Sequence, residues 1–236
     1  MYFYAIRGFK TFGMVGRIAI ITTVLVTLSS ALYAQNKMAY SEYGIAVGTL
    51  NYSGDIATDN GVAALANEVR PDFGVYALRN FNDWFAMGAE VHYGWFYAND
   101  VNHGSPNRGL QVSTTVTQIN AFMEANLIRF GKYHYDRKFG LYLKAGGGFL
   151  AYNPTLTVAN LLPEDIILYP NSYSGTNFFG GLGFKFRVGF KSILRVETTF
   201  HSTGSDHMDG FERMGAGETE NDTYGGIRIA YSLAVF

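Results

Sequence analysis

Two histidines stand near carboxylates at strand-like spacing, Glu90 with His92 and Glu197 with His201. An imidazole beside a carboxylate can move protons, so either pair suits general acid–base work. Same-face spacing of this kind arises in any strand, however, and specifies little by itself. His201 is followed directly by Ser202, then by Asp206, His207 and Asp209, which makes this the most site-like stretch of the chain. A serine nucleophile needs its base within hydrogen-bond reach. Asp206 and Asp209 offer oxygen ligands of the sort that loops present to calcium. The runs Gly146-Gly147-Gly148 and Gly180-Gly181-Leu182-Gly183 invite a phosphate-loop reading. Neither lies between a strand and a helix, the context such loops require, and both fit better as relief of crowding within strands. The expectation is a chain without catalytic residues, cofactor or resident metal.

The elements that carry these residues are strands. About eight segments alternate apolar and polar residues with period two, separated by turn-rich gaps. Phe85, Met87, Ala89, Val91, Tyr93, Trp95 and Tyr97 share one face, against Ala86, Gly88, Glu90, His92, Gly94 and Phe96. Ile119 to Leu127, Phe178 to Val188 and Leu194 to Phe200 repeat the pattern, as do Tyr43–Leu50, Leu141–Tyr152 and Tyr224–Phe236. The segment around Phe73–Arg79 shows it least clearly, and Phe236 falls out of phase with Ile227, Ile229, Tyr231 and Leu233. Strands of about 10 residues match what a tilted strand needs to cross hydrocarbon. Charges in mid-strand, opposite a greasy face, put the polar side inside. Lipid cannot satisfy open backbone groups, so the strands must close into a ring. The fold class is therefore an all-β, eight-stranded antiparallel up-and-down transmembrane barrel.

The gaps support this register. Long ones at roughly 51–68, 98–111, 153–174 and 203–221 alternate with short ones near 80–83, 130–137 and 189–192. Long extracellular loops and short periplasmic turns produce that alternation. Trp84, Phe85, Trp95, Phe96, Tyr97 and Tyr152 are placed for interfacial girdles. An eight-stranded lumen holds side chains but little solute. Glu90, His92, Glu124 and Glu197 are thus expected to pair there with Lys144, Lys185, Arg187, Arg195 and Arg228. Charged residues are only 16 % and aromatics reach 16 %, which suits a lipid boundary. Net charge is −1, so no global field draws the chain to nucleic acid. The absence of cysteine excludes disulfides, thiolate sites and a lipid-modified cysteine.

Arg7, Lys10 and Arg17, the apolar run Ile18 to Leu28, and small residues up to Ala31 or Ala34 read as an export signal, with cleavage at Ala34/Gln35 favoured. About 11 apolar residues span only ~16 Å as a helix, too short for a membrane anchor. Residues 1–34 are thus set apart from a barrel at 35–236, and the localisation is the outer membrane, with its lipid as partner.

Several segments resemble a Bacteroidota barrel family that includes the outer-membrane barrel subunit of the type IX secretion system (Por type). They are Tyr43-Gly44-Ile45-Ala46-Val47-Gly48 through Tyr52-Ser53-Gly54-Asp55, Arg70-Pro71-Asp72-Phe73-Gly74, and Asn107 to Val112 leading into Glu124. Gly146 to Pro154, Gly181-Leu182-Gly183-Phe184-Lys185 and Ser205-Asp206-His207-Met208-Asp209 follow. In the last, the family has Thr-Asp-Tyr-Leu-Asp-Asp, so His207 and Gly210 depart. The resemblance runs through nearly the whole mature chain in short, degenerate motifs. It implies a non-enzymatic component contacting periplasmic ring proteins or lipoproteins of the export machinery. Topology makes the turn Phe130 to Lys138, with Tyr133, His134 and Tyr135, the contact surface. An alternative is a lipid A deacylase, also an eight-stranded barrel. Its His and Ser lie two residues apart on one strand face, whereas here Ser202 is adjacent and Thr203 takes the matching place. A third is an adhesion or ligand-binding barrel working through its long loops.

Overall fold

The computed structural model describes residues 39–53, 67–103, 109–158, 166–168, 171–204, 208, 210–213 and 222–236. Residues 1–34, where an export signal is expected, lie outside them. The elements in chain order are β1 (Tyr40–Ser53), β2 (Arg70–Asn80), β3 (Phe85–Asn99), a single 3₁₀ turn (Asp100–His103), β4 (Leu110–Asn126) and β5 (Phe139–Val158). After these come β6 (Ile166–Leu168), β7 (Tyr173–Arg187), β8 (Ser192–Thr203), β9 (Phe211–Arg213) and β10 (Thr223–Val235). Eight of them form a closed antiparallel barrel in the order β1-β10-β8-β7-β5-β4-β3-β2. Closure leaves no edge strand, the condition for backbone to stand in hydrocarbon.

Side-chain parity sets the two faces. Ile45, Met87, Ile119, Phe149, Phe184 and Ile229 point outward and are exposed, while their immediate strand neighbours are mostly enclosed. Along β3 the outward row runs from Phe85 to Trp95, about 26 Å tall at ~3.4 Å per residue and a tilt of ~40°. That is the height of a hydrocarbon core. A greasy exterior around a charged interior is stable only in lipid, so the chain is an outer-membrane β-barrel.

Two girdle assignments change. Phe96 and Tyr152 lie inside the lumen, because each sits on the polar parity of its strand. Trp84, Phe85, Tyr93 and Trp95 do line the outer wall, with Trp95 edge-on to Tyr93 at 5.0 Å and to Phe73 at 6.4 Å. The strands also run further than the alternation indicated; β5 has 20 residues and β2 begins at Arg70. Phe236 falls outside β10, freed from its parity, and packs its ring 5.3 Å from Tyr40. The connections 81–84, 127–138 and 188–191 close the end where β1 begins and β10 ends, and the remaining four close the other. Two of the long loops meet through the small antiparallel sheet β6–β9, which lay unseen within segments read as loop.

The lumen is filled in layers. At the extracellular mouth, Leu50, Tyr52, Phe96, Leu110, Leu150 and Tyr224 pack with Met208, which enters from the β8–β10 loop. At the periplasmic end, Tyr40, Ile193 and Ala234 pack with Phe130 from the β4–β5 turn. Charges occupy the middle. Glycine makes room for its large side chains: a Cβ on Gly183 would stand 2.3 Å from the Tyr142 ring, and one on Gly74 would stand 2.4 Å from His92.

Candidate functional site

Inward parity on all eight barrel strands brings the lumen charges together. In the lower half, Arg195 (β8) donates to Glu124 (β4) at 2.6 Å and to Glu42 (β1) at 2.5 Å. Lys185 (β7) donates to Glu124 at 2.7 Å and to Asn126 at 3.0 Å. Asn80 and Ser232 donate to Glu42, which completes its shell. In the upper half, Lys144 (β5) bridges Glu90 at 2.6 Å and Glu197 at 3.0 Å, and the Tyr142 hydroxyl donates to Glu197 at 2.7 Å. Arg228 (β10) donates to Asp72 (β2) at 2.6 Å. His92 stands between Asp72 at 3.0 Å and Glu90 at 3.5 Å. Rings separate the cations: Lys144 lies 4.4 Å from the Phe122 centroid and Lys185 lies 4.5 Å from that of Tyr142. A buried ion left alone costs several kcal/mol, and here every lysine, arginine and carboxylate named has an opposite charge in reach.

Of the residues expected in this network, Glu90, His92, Glu124, Lys144, Lys185, Arg195, Glu197 and Arg228 meet there. Arg187 does not. It sits one inward step below Lys185, at the periplasmic rim, where it donates to the Gly131 carbonyl at 3.0 Å and lies over the Phe130 and Tyr135 rings. Glu42 and Asp72 are the acids that the sequence reading missed. Both share the inward parity of their strands, so extending β1 and β2 by a few residues would have found them. Between the two halves, Tyr76, Glu90, Phe122 and Arg195 line a void of about 10 Å³, room for one water at most. The network is a filling, not a passage.

The His201–Ser202 pair does not converge. Adjacent strand residues face opposite sides, so His201 is enclosed at 2 % exposure while Ser202 looks out of the barrel. His201 is stacked between Phe179 at 4.9 Å and Tyr224 at 4.4 Å, near Asn177 and Thr199. It serves as a slab in the packing beneath the mouth. Thr203, the residue on its parity, donates to the Asp222 carbonyl. Ser205, Asp206, His207 and Asp209 lie outside the described residues. Their neighbour Met208 is held by Thr114, which donates to its carbonyl at 2.7 Å, and by its own amide, which donates to Asp222 at 2.8 Å. Tyr52 also donates to Asp222. Gly210 has φ 77°, a conformation that favours glycine over the aspartate found in the resembling motif. Among the described residues no group of three or more acidic or histidine side chains is placed to hold a metal ion.

The periplasmic turn 127–138 is built to hold one shape. Phe130 is fully buried in the barrel floor, so it is an anchor, not part of the contact surface. Its amide donates to the Asp83 carbonyl, which also accepts from Asn126. His134 Nδ1 stands 3.0 Å from the Asp83 carboxylate. From this base Lys132, Tyr133, Tyr135, Arg137 and Lys138 project into water. Tyr135 packs 5.3 Å from Phe190, and Phe190 lies 6.1 Å from Phe236. Arg79, Arg129 and Lys191 are exposed at the same end, so the face is basic and aromatic.

The family described as "Domain of unknown function (DUF6089)" matches residues 18–230 of this chain. No curated protein matches the chain. Similar solved structures include the attachment invasion locus protein Ail of Yersinia pestis, in complex with the heparin analogue sucrose octasulfate, at 10 % identity and TM-score 0.46, covering 84 % of this chain and 99 % of that one. Neisserial surface protein A is similar at 11 % identity and TM-score 0.45, covering 83 % of this chain and 96 % of its own. A major outer membrane protein of Thermus thermophilus is similar at 8 % identity and TM-score 0.46, covering 83 % of this chain and 99 % of its own.

Proposed function

This chain belongs to the family described as Domain of unknown function (DUF6089), and from that premise we propose that it is a non-enzymatic outer-membrane barrel that docks periplasmic partners as a structural component of the type IX secretion system. The observation that carries the docking role is the turn 127–138. Phe130 and Asp83 pin it, and its exposed tip presents two tyrosines among lysines and arginines. A surface ordered before binding loses little entropy on contact, and aromatic residues with arginine are what interface centres use. Its charge suits an acidic surface on a periplasmic ring protein or lipoprotein. The filled lumen favours a scaffold over a conduit. The link to the export machinery draws on the motif resemblance around Tyr43–Asp55 and Ser205–Asp209.

The test is affinity purification of the full barrel from detergent-solubilised membranes, with a secretion assay on the deletion strain. Ring proteins or export lipoproteins should co-purify, and deletion should reduce cargo secretion. If none co-purifies and secretion stays normal, the assignment to the export system is wrong.

A further inference from the structure

The outer wall is not uniformly greasy. Across β1, β10, β8 and β7, near the extracellular rim, it sinks into a groove of about 900 Å³. Register shows why. One outward row reads Asn51, Gly225, Phe200, Gly180, and the row below reads Thr49, Ile227, Thr198, Leu182. The row above reads Ser53, Thr223, Ser202, Phe178. Glycines flank Phe200 on both sides, and small hydroxyl residues stand where β2 and β3 carry Phe73, Tyr93 and Trp95. The dent is therefore made by missing side chains, with Phe178, Phe200 and Ile227 left as its walls. A Cβ placed on Gly180 would meet nothing within 4 Å.

Height identifies what fills it. Thr223 lies about 30 Å above Val235 at ~3.4 Å per residue and ~40° tilt, so it marks the top of the apolar belt, and the groove runs downward from there into hydrocarbon. Lipid acyl chains fill that depth around the barrel. The groove continues the lipid-facing wall, and among the described residues no lysine, arginine, aspartate or glutamate lines it. Ser202 offers a hydroxyl at the level where an acyl chain joins its ester or amide, beside Thr223, whose own hydroxyl donates to the Ser53 carbonyl at 3.2 Å. We propose that this groove is a specific seat for one acyl chain of an outer-leaflet lipid, with the chain along Phe200 and its ester or amide linkage accepting a hydrogen bond from Ser202. Recognition falls on the linkage and chain, not on a phosphate.

The experiment reconstitutes the full barrel in phosphatidylethanolamine vesicles doped with a phosphatidylethanolamine bearing a diazirine on one acyl chain, and maps photolabelled peptides. Labelling of 178–180, 200–202 and 223–227 should exceed that of the opposite wall at Ile119 and Phe149 about tenfold, a preference of roughly 1.4 kcal/mol. Gly180→Trp, which fills the groove without backbone conflict, should abolish the excess. Ala151→Trp, outward on β5, should leave it intact. Ser202→Ala should reduce it. Even labelling around the barrel, or an excess that survives Gly180→Trp, would overturn the proposal. So would efficient dimerisation through a Ser202→Cys disulfide, clean in a chain without cysteine, since the groove would then seat a second copy.

Discussion

Arg195 shows how the lumen depends on single groups. It is 1 % exposed and serves two carboxylates, Glu42 and Glu124, from opposite sides of the barrel. Removing a partner from a buried pair costs more than the pair contributes, because the remaining charge has no water to turn to. Arg195→Met should therefore lower the stability of the detergent-folded barrel by about 3–5 kcal/mol, measured by urea unfolding. Adding Glu42→Gln should recover part of that loss. An unchanged midpoint would mean that water reaches these carboxylates. His201 makes the contrasting case. Its ring lies between two aromatic rings, so His201→Phe should fold normally while His201→Ala loses about 1–3 kcal/mol from the vacated slab.

Elements divide the labour by length and end. The short turns are stiff, and the one at 127–138 is stiff because Phe130 enters the floor and Asp83 holds its backbone. Phe130→Ala should release it at a cost of about 3 kcal/mol. Trypsin admitted to the periplasmic side should then cut at Lys132, Arg137 and Lys138 faster than in the parent. Equal cutting would show that Phe130 does not order the turn. On the outer side, β6 pairs with β9 and Met208 is tied to Thr114 and Asp222, so two long loops are stitched to each other and to the mouth.

The whole molecule is a closed cylinder plugged at both ends and charged in between. Reconstituted in planar bilayers it should pass no ions, since the mid-lumen void is only about 10 Å³. Stepwise conductance would refute a filled interior. The outside obeys the membrane: Ile229→Arg, on the lipid face near mid-height, should cost about 2–4 kcal/mol in bilayer-folded protein. Equal stability of that variant would argue that Ile229 does not face hydrocarbon.

Much of this was legible in residue order. Period-two alternation named the eight spans and their lipid faces, because strand geometry sends every second side chain to one side whatever the rest of the chain does. Alternating gap lengths likewise placed the turn with Tyr133 and Tyr135 at the short-loop end. Partners across the lumen were not legible. Which cation meets Glu42, or that Arg187 stops at the rim, depends on how far each strand is displaced against its neighbours around the ring, and parity carries no information about height. The opposed directions of His201 and Ser202 followed from alternation alone, whereas the stacking of His201 between Phe179 and Tyr224 needed three strands in register. The groove beside Phe200 is of the second kind too: Gly180 and Gly225 are 45 positions apart in the chain, and only the register of β8 with β7 and with β10 sets them on either side of one ring.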